Sequence, residues 1–182
     1  MRYDNANIGD VYKKHPKIKS VIHKNLEKIT SVNEETKEEI FVENKLTKGI
    51  FLIGATGRGK TYTLHAIRKN LPREKVTDVE NWVELLFELK DKINKGFLKE
   101  TVYELCRKQY FFIDDLGAEK QTEWSQEILY LIINRLYEDN KSLFIATNLT
   151  LKEFTEKYGD RIADRLGEMC EVVELKGDNL RD

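Results

Sequence analysis

GIFLIGATGRGKT, residues 49–61, joins a continuous apolar run to an octapeptide, GATGRGKT (54–61), that satisfies the spacing G-x-x-x-x-G-K-[ST] in full. GIFLI (49–53) has the make-up of a strand covered on both faces, and KTYTLHAIRKN after it reads as a helix. A strand, a glycine-rich turn and a helix in that order form a phosphate cradle. Glycines let the backbone turn tightly enough for successive N–H groups to point at phosphate oxygens. The helix N-terminus adds its positive partial charge. The spacing predicts that Gly54, Ala55, Thr56, Gly57, Arg58, Gly59, Lys60, Thr61 and Tyr62 surround a nucleoside triphosphate. Lys60 is expected to bridge the β- and γ-phosphates and the Thr61 hydroxyl to hold Mg²⁺. The Arg58 side chain is expected to point to solvent.

Outward from the cradle, strands and helices alternate. EKVTDV (74–79) reads as a weak, polar edge strand, and YFFI (110–113), SLFIAT (142–147) and EVVEL (171–175) as further strands. Between them, Trp82, Leu86, Leu89 and Ile93 recur at helical spacing, and Leu98, Val102 and Leu105 begin another helix after Gly96. TEWSQEILYLIINRLYEDN (122–140), TLKEFTEKY and DRIADRLGEM complete the helices. Upstream, KIKSVIHKNLEKI places Ile18, Ile22, Leu26 and Ile29 on one helical face, and the acidic NEETKEE (33–39) reads as a helix end or a loop. The pattern predicts an α/β fold with a mainly parallel sheet between helices. Trp82 and Trp124 are expected to be packing anchors.

FFIDDLGAEK (111–120) sets two carboxylates at the end of an apolar strand. A cation resolves their repulsion: a triphosphate brings Mg²⁺, and a cradle of this kind draws a second metal contact from an aspartate ending a neighbouring strand. Asp114 takes that place. Asp115, one residue on, is positioned to orient or deprotonate a water attacking the γ-phosphate. Asn148 ends the strand SLFIAT, where an amide can bond both that water and the γ-phosphate.

The 182 residues suffice for one domain, with 40% hydrophobic and 35% charged residues. Lys+Arg (31) against Asp+Glu (32) leaves a net charge of -1, so any nucleic-acid contact must use a local patch. Cys106 and Cys170 lie too far apart for a CxxC pair and are expected to be reduced core residues. The absence of an apolar leader or membrane-length run makes a cytoplasmic protein the expectation.

IDDLGAEK, LYLIINRLYE, IATNLTL, DRIADRL and VVELKGDNLR together resemble the AAA+ ATPases of the bacterial replicative-helicase loader family (DnaC/DnaI type), and the related IstB-type transposition helpers. The resemblance covers essentially the whole chain. It implies a three-layer P-loop core of the additional-strand type, with a five-stranded parallel sheet in the order 5-1-4-3-2, and self-assembly into rings or spirals around ATP. Residues 1–48 are read as the N-terminal entry segment of that module, helix and acidic loop, and 49–182 as the ATPase core; the sequence departs from larger AAA+ proteins in that a C-terminal helical lid is not expected after the last strand. Arg165 matches the family's arginine finger, with Arg161 as the alternative, and Arg181 its C-terminal sensor arginine. The helices from 79 to 108 correspond to the insertion with which loaders approach single-stranded DNA. The implied function is Mg²⁺-dependent ATP hydrolysis, weak in the monomer, in DNA replication with a replicative helicase as partner. The alternatives are a transposition helper acting with a transposase, a small P-loop nucleotide kinase, and an ATP-binding switch without useful turnover.

Overall fold

The computed structural model describes residues 3–32, 39–94 and 96–177. The cradle strand is β3 (Gly49–Ile53), and around it lie β4 (Val76–Asn81), β5 (Tyr110–Leu116), β6 (Ser142–Thr147) and β7 (Cys170–Glu174). These five pair in the order β4-β5-β6-β3-β7, every pair parallel. Counted from the cradle strand and read from the other edge, this is 5-1-4-3-2, as expected.

Alternation along the strands divides the core in two. Phe51, Phe111, Ile113, Leu143 and Ile145 face α4 (Trp82–Asn94), α5 (Leu98–Leu105), α6 (Glu123–Glu138), α7 (Leu151–Tyr158) and α8 (Asp160–Met169). Ile50, Leu52, Tyr110, Phe112, Phe144 and Ala146 face α1 (Ile8–Lys14), α2 (Pro16–Lys24) and α3 (Lys60–Lys69). Phe112 stacks on Phe144, with ring centroids 4.6 Å apart. Both cysteines are buried, and burial pushes the Cys106 thiol up to about 12, which keeps it protonated. Trp82 is fully buried and Trp124 packs against the same cluster, as anchors should.

The edge strand β4 runs two residues beyond the expected segment. Its polar character has a structural use, since Thr77 Oγ1 accepts from Phe112 N at 3.0 Å where the ladder with β5 is irregular.

The N-terminal segment departs from expectation. The helix begun at Pro16 ends at Lys24, and Leu26–Val32 forms β1, paired antiparallel with β2 (Glu39–Leu46). Leu26 and Ile29 therefore do not continue the Ile18–Ile22 face. Asn25 stops the helix and receives Thr47 N and Oγ1 on its carbonyl, closing the base of the strand pair. Residues 33–38 of the acidic stretch lie outside the described residues; Glu39 opens β2. The two helices share the α3 core through Val11, Ile18 and Val21. No helix among the described residues is long and apolar enough to cross a membrane.

Candidate nucleotide-binding site

The loop between β3 and α3 starts at Gly54, with φ +146°. A Cβ there would sit 2.6 Å from the Leu175 carbonyl oxygen, so the backbone of β3 can pass β7 this closely only with glycine. Lys60 opens α3 with its side chain folded back into the loop, almost wholly buried. Its Nζ donates to Gly54 O (2.6 Å), Ala55 O (3.0 Å) and Asn148 Oδ1 (2.6 Å). Thr56 Oγ1 reaches the same amide oxygen at 3.5 Å. The ammonium is thus held by neutral oxygens that a phosphate anion can replace, because charge-assisted contacts are the stronger kind.

Asp114 sits beneath Thr61, whose hydroxyl bonds its carboxylate. Only 7% of Asp114 is exposed, and its Oδ1 has no hydrogen-bond partner. Burial raises its carboxyl above the ordinary value, and neighbouring Asp115 adds to this; the Thr61 bond and Lys60 oppose it. A buried carboxylate oxygen left unsatisfied beside a threonine hydroxyl suits a magnesium ion. The described residues hold no group of three or more His, Cys, Asp or Glu that would bind a metal unaided, so an ion held here would draw its further ligands from phosphate oxygens and water.

Asp115 is half-buried with φ +53°, a left-handed conformation rarely taken by a residue with a side chain. It coincides with a break in the β5–β6 register between Ile113 and Leu116. The break lets Asp115 line the cavity over the cradle while Asp114 stays beneath it.

That cavity has a volume of about 640 Å³. Thr56, Gly57, Arg58, Gly59, Lys60, Thr61 and Tyr62 line it together with Asp115 and Asn148. Arg58, expected to face solvent, is therefore part of the wall. Sequence reading missed the opposite wall: Tyr3, Asp10, Val11, Lys13, Lys14 and His15, from the first helix and its approaches. Tyr62 ties the two walls together, its hydroxyl accepting from Asn7 N at 3.0 Å. Tyr3 stacks on His65 of α3, centroids 4.6 Å apart, and Lys69 Nζ donates to the Tyr3 and Asp4 carbonyls. Sequence reading had residues 1–48 only as a segment leading into the core and named none of these side chains.

Arg161 and Arg165 lie on α8, across the sheet from α1 and α3, and neither lines the cavity. The Arg165 guanidinium lies 4.9 Å from the Tyr130 ring and 5.7 Å from Tyr137, and Arg161 lies 5.9 Å from Tyr130. Tyr137 donates its hydroxyl to Glu168 Oε2 at 2.6 Å. The hydrogen bond from Arg165 is the main cause that holds the Tyr130 phenol below its ordinary value. Arg165 Nη1 is buried without a hydrogen-bond partner. Arg181 lies outside the described residues.

The family model described as IstB-like ATP binding protein matches residues 26–182. The protein YqaM of Bacillus subtilis is 28% identical over 149 residues, 77% of this chain and 47% of that protein. The replicative helicase loader DnaI of the same organism is 24% identical over 148 residues, 74% of this chain and 48% of DnaI. The chain thus spans about half the length of the curated relatives it matches. A solved structure, the DnaC helicase loader, superimposes with a TM-score of 0.70 at 25% identity, covering 96% of this chain and 99% of that one.

Proposed function

Because the chain belongs to the family of IstB-like ATP-binding proteins, we propose that it binds ATP with Mg²⁺ and hydrolyses it as a DNA-associated AAA+ ATPase of the helicase-loading kind. One observation carries the reading: Lys60, Thr61, Asp114, Asp115 and Asn148 converge at one end of a 5-1-4-3-2 sheet.

The residues divide the work. Loop N–H groups and the α3 N-terminus receive the phosphates. Lys60 exchanges Asn148 Oδ1 and the loop carbonyls for the β- and γ-phosphate oxygens. Thr61 and Asp114 would hold magnesium, which when bound neutralises charge on those oxygens. Asp115 orients the attacking water and takes its proton as the water oxygen bonds to the γ-phosphorus. The bond to the β–γ bridging oxygen breaks, and ADP leaves. Asn148, released from Lys60, bonds the water and the γ-phosphate. Arg165 of a neighbouring copy, with Arg161 as its alternative, supplies positive charge at the γ-phosphate, and Arg181 contributes from the chain's own C-terminal side.

The stretch 79–108 supports a single-stranded DNA partner. Phe87 (72% exposed), Phe97 (58%) and Tyr103 (53%) stand on it, interleaved with Lys90, Lys92 and Lys99 and with the carboxylates Glu84, Glu88, Asp91 and Glu100. The exposed rings are the feature that strand binding by stacking requires. The near-complete overlap with the DnaC loader favours a replicative helicase as protein partner, and a cytoplasmic place of action belongs to the same proposal. The family match to IstB-like proteins favours a second reading, a transposition helper that engages a transposase.

Hydrolysis measured across protein concentrations, with and without single-stranded DNA, tests the function. Turnover per chain should rise with both, and Lys60→Ala should abolish nucleotide binding. Phosphoryl transfer to a nucleoside monophosphate would instead make the chain a kinase. Capture from the native host of a hexameric helicase or of a transposase separates the two partner readings.

A further inference from the structure

A second buried charge holds the turn after Asp115, and the hydrolytic steps above make no use of it. The Glu119 side chain is 4% exposed and faces Lys157 Nζ of α7 at 3.2 Å. Its Oε1 also accepts from the Tyr158 hydroxyl at 2.5 Å, and its Oε2 from Gly117 N at 3.0 Å. Lys157 Nζ donates in turn to Gly117 O (2.7 Å) and Glu119 O (3.1 Å). Burial, together with the Glu119 carboxylate, pushes the Tyr158 phenol above its ordinary value, so it stays a donor.

We propose that Glu119 is a positioning residue for hydrolysis, latching the 115–119 turn to α7 through Lys157 and Tyr158 so that Asp115 faces the attacking water. The proposal rests on the ATPase reading. Three observations carry it. First, a left-handed Asp115 persists only where its surroundings over-determine it. Here the turn's polar groups are taken up one after another: Asp115 O by Ala118 N, Leu116 O by Thr147 Oγ1, and Gly117 at both ends by Glu119 and Lys157. Second, the Glu119–Lys157 pair is withdrawn from water, with side chains 4% and 16% exposed, and a pair so placed adds little net stability over apolar packing. Third, the latch reaches the other catalytic candidate. Gly117 has φ +102°, and a Cβ there would meet Leu149 Cδ1 at 2.7 Å, directly after Asn148. Thr147 Oγ1, which holds Leu116 O, also accepts from Leu149 N at 3.1 Å. Asp115 and Asn148 are thereby set by one cluster. The cluster is anchored on α7, which Gly159 joins to the helix bearing Arg161 and Arg165.

Two substitutions test the latch: Glu119→Gln, and the milder Tyr158→Phe, which removes one hydroxyl. Affinity for a fluorescent ATP analogue should stay within about threefold of wild type, while kcat falls about 10- to 100-fold. Hydrogen exchange at the Gly117 amide of the nucleotide-free chain should quicken about tenfold in Glu119→Gln. An unchanged kcat in both variants overturns the proposal, as does a loss of affinity and melting temperature in step with kcat in Tyr158→Phe. A Gly117 amide no faster in Glu119→Gln than in wild type overturns the latch whatever the turnover. A wild-type chain without turnover at any concentration overturns the ATPase reading instead, and the exchange measurement separates that failure from failure of the latch.

Discussion

Asp114 holds a carboxylate beneath Thr61 with one oxygen unpartnered and almost no solvent exposure. Because burial lifts its carboxyl above the ordinary value, the folded chain binds that proton more tightly than the unfolded chain does. The resulting stabilisation is complete below the ordinary carboxylate range and is lost as pH rises through the elevated value. The nucleotide-free protein should therefore be strained at neutral pH by this one group. Asp114→Asn should raise its melting temperature there. The gain should vanish on acidification and invert when ATP and Mg²⁺ are added, because only the carboxylate can take up the cation. Melting curves at several pH values, with and without Mg·ATP, check this. A variant that Mg·ATP stabilises as much as wild type would remove Asp114 from the metal site.

Among the elements, those near the site were legible because each is set by a local signal. GIFLI, YFFI and SLFIAT are short apolar runs, and buried parallel strands need nothing more. The cradle residues could be named because the motif is contiguous. The β1–β2 pair was not legible, since Leu26 and Ile29 follow Ile22 at intervals of four and three that also fit a helix. Their strand partner begins at Glu39, so the deciding contact is non-local. The cavity wall around Tyr3, Asp10 and His15 was missed for the same reason, since 38 to 50 residues lie between its members and the motif. Glu119 has no local signal of its role; only the return of α7 surrounds it with Lys157 and Tyr158. The β3–β7 edge supplies the test at this scale. Gly54→Ala would place a methyl against the Leu175 carbonyl oxygen, a backbone atom that no rotamer change can move. The substitution should cost about 1–3 kcal/mol, read as a lower urea midpoint at unchanged slope. A midpoint equal to that of wild type would mean that β7 shifts freely at this end.

At the scale of the whole molecule, the finger candidates and the cavity occupy different regions of one chain, and Arg165 rests on Tyr130 and Tyr137 of its own α6. A guanidinium held on rings in one copy and a cradle open in another would make a head-to-tail contact, the kind that builds rings or open spirals. Complementation tests this directly. Arg165→Ala keeps its cradle but offers no finger, and Asp115→Asn binds nucleotide and offers a finger but lacks the group that orients the water. Each alone should lose turnover, the first by about 10³–10⁵ if the finger acts as in other phosphoryl-transfer sites. In an equal mixture, random assembly pairs an Arg165→Ala cradle with an Asp115→Asn finger at roughly a quarter of the contacts, so roughly a quarter of wild-type turnover should return. Steady-state phosphate release from the separate and mixed chains measures it. Turnover by Arg165→Ala alone at the wild-type rate would pass the finger role to Arg161. A mixture no more active than its parts would mean that each copy hydrolyses ATP without its neighbour.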